Sequence, residues 1–153
     1  MSFYLAKRPD INYRLPSNIA PYWYELEIRP FLADSNFTFS GRVRIHFTCL
    51  EETRSLRLHS KELNVTSFSL IDTNDTVSLL DEYDLDDDTD FLTFHANDTF
   101  KENSNYSVNI EFRGVILNRL YGFYRSSYLN KAENITYFLA TTKFEPVYAR
   151  RAL

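Results

Sequence analysis

Few residues in this sequence have types and spacing suited to chemistry. The three histidines, His46, His59 and His95, are too far apart for any metal-ligand motif, and no His-Glu-x-x-His pair occurs. All three fall on the polar side of strand-like alternation, so they are expected to be exposed sheet histidines. A nucleophilic cysteine needs a base and an electropositive setting. The only cysteine, Cys49, follows Phe47-Thr48 at a strand end and reads as a small buried thiol. It also excludes an internal disulfide framework and any cysteine-based zinc cluster. No serine lies in a Gly-x-Ser-x-Gly elbow. With only 3 Gly, phosphate-cradling loops have little material, and a net charge of −4 lacks the footprint of a nucleic-acid binder.

Two clusters stand out. Residues 81–90 carry seven acids, Asp81, Glu82, Asp84, Asp86, Asp87, Asp88 and Asp90. The spacing Asp86-x-Asp88-x-Asp90 suggests a calcium loop, but the glycine and the distal glutamate that such a loop needs are missing. The run therefore reads as a solvated loop whose charges discourage edge-to-edge association. Asn-x-Ser/Thr acceptor triplets occur at Asn36, Asn64, Asn74, Asn97, Asn105 and Asn134, where the composition (12 Asn, 25 Ser plus Thr) predicts roughly 2 by chance. Such an excess either reflects Asn and Thr being common in turns or points to a domain from a secretory lumen. The N-terminal stretch lacks the apolar core of a signal peptide, and no apolar run reaches the ~18–20 residues that span a bilayer.

The elements that position these residues are strands. The 153 residues suit one domain, and 25 aromatics, of which 13 are Phe, supply core material. Tyr22, Tyr24, Leu26 and Ile28 alternate with Trp23, Glu25, Glu27 and Arg29; Val43, Ile45 and Phe47 alternate with Arg42, Arg44 and His46. Tyr106, Val108, Ile110 and Phe112 alternate most cleanly. Further strands are expected at 56–58, 63–70, 77–80, 91–96 and 135–142, with turn formers between them. Only 144–152 reads as a helical turn. About 9–12 short strands with little helix predict an all-β fold, an antiparallel β-sandwich or saddle of curved sheets.

Three stretches carry a family resemblance. They are the opening Tyr13-Arg14-Leu15-Pro16-Ser17-Asn18-Ile19-Ala20-Pro21, the segment Leu120-Tyr121-Gly122-Phe123-Tyr124-Arg125-Ser126, and Leu139-Ala140-Thr141-Thr142-Lys143-Phe144-Glu145-Pro146 with Ala149-Arg150-Arg151-Ala152. Together they resemble the N-terminal domain of the aminopeptidase N-like zinc metallopeptidases. The resemblance implies a β-rich domain over 13–153, after an extension over 1–12, lying against a catalytic domain that supplies the zinc ligands. The His-Glu-x-x-His and Gly-x-Met-Glu-Asn segments of that catalytic domain are absent from these 153 residues. The expectation is therefore a non-catalytic first domain with no cofactor of its own, and its enzyme status is left open.

In that family a Glu or Gln shortly after a Thr-Thr-Gln stretch holds the free α-amine of a peptide substrate; here that position is Glu145, with Lys143 where Gln is usual. Read without the family, Glu145 is a surface acid paired with Arg150 or Arg151. The resemblance further implies a partner surface at Phe138, Phe144, Pro146, Val147 and Tyr148, met by a catalytic domain or by self-association, and an extracellular or cell-surface location. The other reading is a stand-alone extracellular β-sandwich binding module.

Overall fold

A computed structural model describes residues 12–33, 36–72, 77–78 and 80–152. Ten strands follow in chain order: β1 Ile19–Phe31, β2 Thr38–Cys49, β3 Thr53–His59, β4 Leu63–Ile71, β5 Val77–Ser78, β6 Leu80–Asp86, β7 Phe91–Phe100, β8 Asn105–Val115, β9 Gly122–Asn130 and β10 Ile135–Lys143. A 3-10 turn, Ala149–Arg151, lies in the stretch read as helical. The strands form a five-stranded sheet in the order β1-β2-β8-β4-β5, a three-stranded sheet β3-β7-β6 and a β9–β10 ribbon, every ladder antiparallel. The all-β antiparallel class expected from the alternation is the one observed.

Alternation decides which side chains fill the space between the two larger sheets. Phe39, Val43, Ile45, Phe47 and Cys49 of β2 and Val108, Ile110 and Phe112 of β8 are all buried. Leu56 of β3 pairs with Phe94 of β7 and faces them from the other layer. Phenylalanine does the joining: Phe47 meets Phe100 at 5.9 Å with rings nearly perpendicular, and Phe68 meets Phe94 at 5.0 Å. Each such pair adds roughly 0.5–1.5 kcal/mol beyond its buried area.

Two glycines make room for this packing. Gly41 lies opposite Phe112, and Gly114 lies opposite Phe39. A Cβ built on Gly41 would stand 2.3 Å from the Phe112 ring, and one on Gly114 the same distance from the Phe39 ring. The rings lie flat over bare backbone, a reciprocal glycine–aromatic arrangement across one ladder.

The structure corrects several local readings. Tyr22 does not point inward: the β1–β2 register shifts between Pro21 and Trp23, and Tyr22 sits against His46 instead, ring centroids 6.1 Å apart. Tyr24 and Leu26 share the core side with Ile45 and Val43 yet stay exposed, because β1 is the edge of its sheet. Pro21 and Pro30 are tolerated there for the same reason. The acidic run is half strand: it forms β6 as far as Asp86, pairs with β7 and makes an edge of the three-stranded sheet. β9 has mixed side chains with no period of two, so its strand was not legible. Finally, His46 and His59 are half-buried; only His95 is exposed, with Nε2 2.8 Å from Asp84 Oδ2. His59 packs on Phe91 and meets the Tyr13 carbonyl at 2.9 Å, and burial lowers its pKa.

Candidate functional site

Glu145 lies two residues past the end of β10, at the start of a short turn closed by the Tyr148 N–H donating to the Glu145 carbonyl at 2.9 Å. Its side chain is 58% exposed, and its partner is Lys143, whose Nζ lies 3.2 Å from Oε1. The pairing with Arg150 or Arg151 read from sequence is therefore corrected. Extended backbone puts residues i and i+2 on one side, which brings Lys143 within reach. Lys143 itself is 50% exposed, so the contact is screened and weak.

The two arginines are engaged elsewhere. Arg150 Nη1 donates to Asp90 Oδ2 at 3.1 Å, while Lys61 Nζ donates to Asp90 Oδ1 at 2.6 Å. Arg151 pairs with Glu62, which also receives Arg119 at 2.7 Å. The Lys61 N–H donates to the Arg150 carbonyl at 2.8 Å. Arg119 and Arg151 both lie over the Tyr121 ring, and Tyr121 stacks on Tyr148 at 4.8 Å. Two turns, β3–β4 through Glu62 and β6–β7 through Asp90, thus clasp the segment that carries Glu145.

Electrostatics agree with this geometry. Burial works against ionisation of Asp90, but hydrogen bonds from Lys61 and Arg150 outweigh it and hold the carboxyl below its usual range. Burial opposes Glu62 in the same way, and Arg151 with Arg119 prevail. The hydrogen bond to Asp90 raises the Lys61 pKa. The backbone is constrained as well. Val147, a β-branched residue, has φ 76°, a conformation L side chains seldom adopt unless the surroundings impose it. Gly122 opens the ribbon at φ 73°, and a Cβ there would stand 2.9 Å from Arg151 Cδ.

The expected partner surface divides. Phe144, Pro146 and Val147 are exposed. Tyr148 is spent on Tyr121, and Phe138, though partly exposed, meets Phe37 edge-on at 4.8 Å. The ribbon's outer face adds Tyr128 and Tyr137, stacked at 5.4 Å, with Ile135 and Leu139 beside them. Asn36, Asn64, Asn97, Asn105 and Asn134 are all exposed; Asn74 lies outside the described residues. Cys49 is buried, its Sγ 3.0 Å from the Glu51 carbonyl, and burial raises its pKa. Among the described residues no three His, Cys, Asp or Glu side chains converge to hold a metal ion, so they do not fit zinc. No described helix is long and apolar enough to cross a membrane.

Sequence reasoning missed Glu62, Lys61 and Arg119, and it read Asp90 as part of a solvated acidic loop, where the structure has it mostly buried between Lys61 and Arg150. Their partners are about 30 to 90 residues away along the chain, and no local pattern marks such pairs.

Comparison with known proteins bears on the same segments. The chain is 31% identical to aminopeptidase N of the dog (Canis lupus familiaris) over 95% of its own length and 16% of that protein's. It is 31% identical to human aminopeptidase N over 92% of this chain and 15% of the relative. Similarity to the human thyrotropin-releasing hormone-degrading ectoenzyme is 32% over 94% of this chain and 13% of that protein. The chain thus spans between about an eighth and a sixth of the length of these relatives. The family model for the Peptidase M1 N-terminal domain matches residues 20–153, which takes in all ten strands but the first residue of β1 and the whole Glu145 segment, and the chain belongs to that family.

Proposed function

We propose that residues 13–153 act as one non-catalytic N-terminal domain of a zinc aminopeptidase that removes N-terminal residues from peptides. In this reading Glu145 receives the α-ammonium of the peptide substrate, and the domain packs against a catalytic domain that holds the zinc. The observation that carries it is Glu145 itself: an exposed carboxylate on a turn that leads into Arg150 and Arg151, which Asp90 and Glu62 hold in place. A carboxylate facing an ammonium in a closing cleft makes a charge-assisted hydrogen bond, about twice as strong as a neutral one. Lys143 competes for the same oxygen, and substrate must displace it. Exposed Phe144, Pro146 and Val147 beside the carboxylate supply apolar area for the catalytic domain, or for self-association where none is present. Exposure of every described acceptor asparagine supports a glycosylated, extracellular or cell-surface setting.

The test is a chimera in which this chain replaces the matched segment of dog aminopeptidase N. Glu145→Ala is expected to raise KM for a free-amine aminoacyl substrate at least tenfold, and Lys143→Gln to lower it. An unchanged KM in the Glu145 variant would refute the assignment.

A further inference from the structure

The outer face of the five-stranded sheet is charged over most of its area, with Glu27, Arg42, Arg44 and Glu111 side by side. Both ends of that face break the pattern: Trp23, 59% exposed, lies opposite His46 at one, and Phe31 with Val115 lies at the other. Phe31 pairs with Thr38, and Thr38 with Val115, so these three stand in a row across β1, β2 and β8. Phe31 is 48% exposed and Val115 55%. They border a groove of about 720 Å³ with Asn36, Asn64 and Arg113 on its walls. Two of the six acceptor asparagines therefore flank one apolar strip. In the first triplet the Thr38 hydroxyl donates to Asn36 Oδ1 at 3.0 Å. The second, Asn64-Val65-Thr66, contains the β4–β8 register shift between Val65 and Ser67, and Asn64 lies opposite Arg113.

An N-linked glycan suits such a surface. A pyranose ring offers a C–H face to an aromatic or branched side chain and hydroxyls at its rim to donors such as Arg113. Phe31 and Val115 offer exposed apolar area within the groove, and the acceptor asparagines in its wall supply the occupant. We propose that carbohydrate attached to Asn36 and Asn64 lies in this groove, its first N-acetylhexosamine rings covering Phe31 and Val115. This rests on the reading of the chain as a glycoprotein.

The test expresses the whole chain in a eukaryotic secretory host. Enzymatic deglycosylation in heavy-oxygen water with peptide mass spectrometry maps the occupied sites, and thermal midpoints are compared before and after glycan removal. Expected are occupied Asn36 and Asn64, and a drop of about 3 °C on deglycosylation. That drop shrinks by at least half in Phe31→Ser and in Val115→Ser, both of which alter exposed positions. An equal drop in wild type and both variants would overturn the groove assignment. So would bare Asn36 and Asn64 beside occupied Asn97, Asn105 or Asn134, which leaves the glycoprotein reading standing. No modified asparagine at all overturns both.

Discussion

Replacing Asp90 with Asn tests the clasp directly. The carboxylate accepts from Lys61 Nζ at 2.6 Å and Arg150 Nη1 at 3.1 Å, and its side chain is 18% exposed. A hydrogen bond to a charged group contributes about 1.5–3 kcal/mol. Asparagine keeps the shape and one acceptor oxygen but turns an NH2 toward a cation, so one bond and the charge are lost together. After allowance for partial exposure, Asp90→Asn should destabilise by about 2–3 kcal/mol. In a domain of 153 residues that lowers Tm by roughly 5–10 °C. The pH dependence has a defined sign. Because the folded-state pKa of Asp90 is depressed, its contribution is present above the unfolded carboxyl value of about 3.9 and fades as pH falls through the lower folded value. Thermal unfolding followed by circular dichroism at pH 7 and again near pH 2 should show the wild-type advantage shrinking in acid. Amides of residues 144–152 should also exchange faster in the variant at pH 7. A Tm change below about 1 °C at pH 7, or an equal difference at both pH values, would refute the reasoning.

Other outcomes follow from the same geometry. Gly41→Ala drives a methyl into the Phe112 ring and should cost about 2–3 kcal/mol in urea unfolding, with Gly114→Ala similar through Phe39. Lys143→Gln removes only an exposed pair, so its unfolding free energy should stay within about 0.5 kcal/mol of wild type whatever happens to substrate KM. The buried Cys49 thiol, its pKa raised mainly by burial, should resist a thiol reagent at pH 8 in the folded protein and react at once in denaturant. Size-exclusion chromatography of the purified chain should show concentration-dependent association through the Phe144–Val147 surface, and Phe144→Ser should weaken it.

The sequence by itself determined the strands of β2 and β8, because alternation of Val43, Ile45 and Phe47, and of Val108, Ile110 and Phe112, lets only one face of each enter a core. It also determined the family, since the Gly122–Arg125 and Thr141–Glu145 strings are local. Tertiary structure alone decided where the edges fall. Tyr24 and Leu26 carry the pattern of buried residues but lie on an edge strand, and the acids of β6 became strand because β7 offered a free ladder. It also decided the surroundings of Glu145. Period-two geometry is a short-range property of the backbone and can be read locally. Which carboxylate answers Arg150 depends on two turns meeting in space, Glu62 in one and Asp90 in the other, and no local spacing in the chain encodes that meeting.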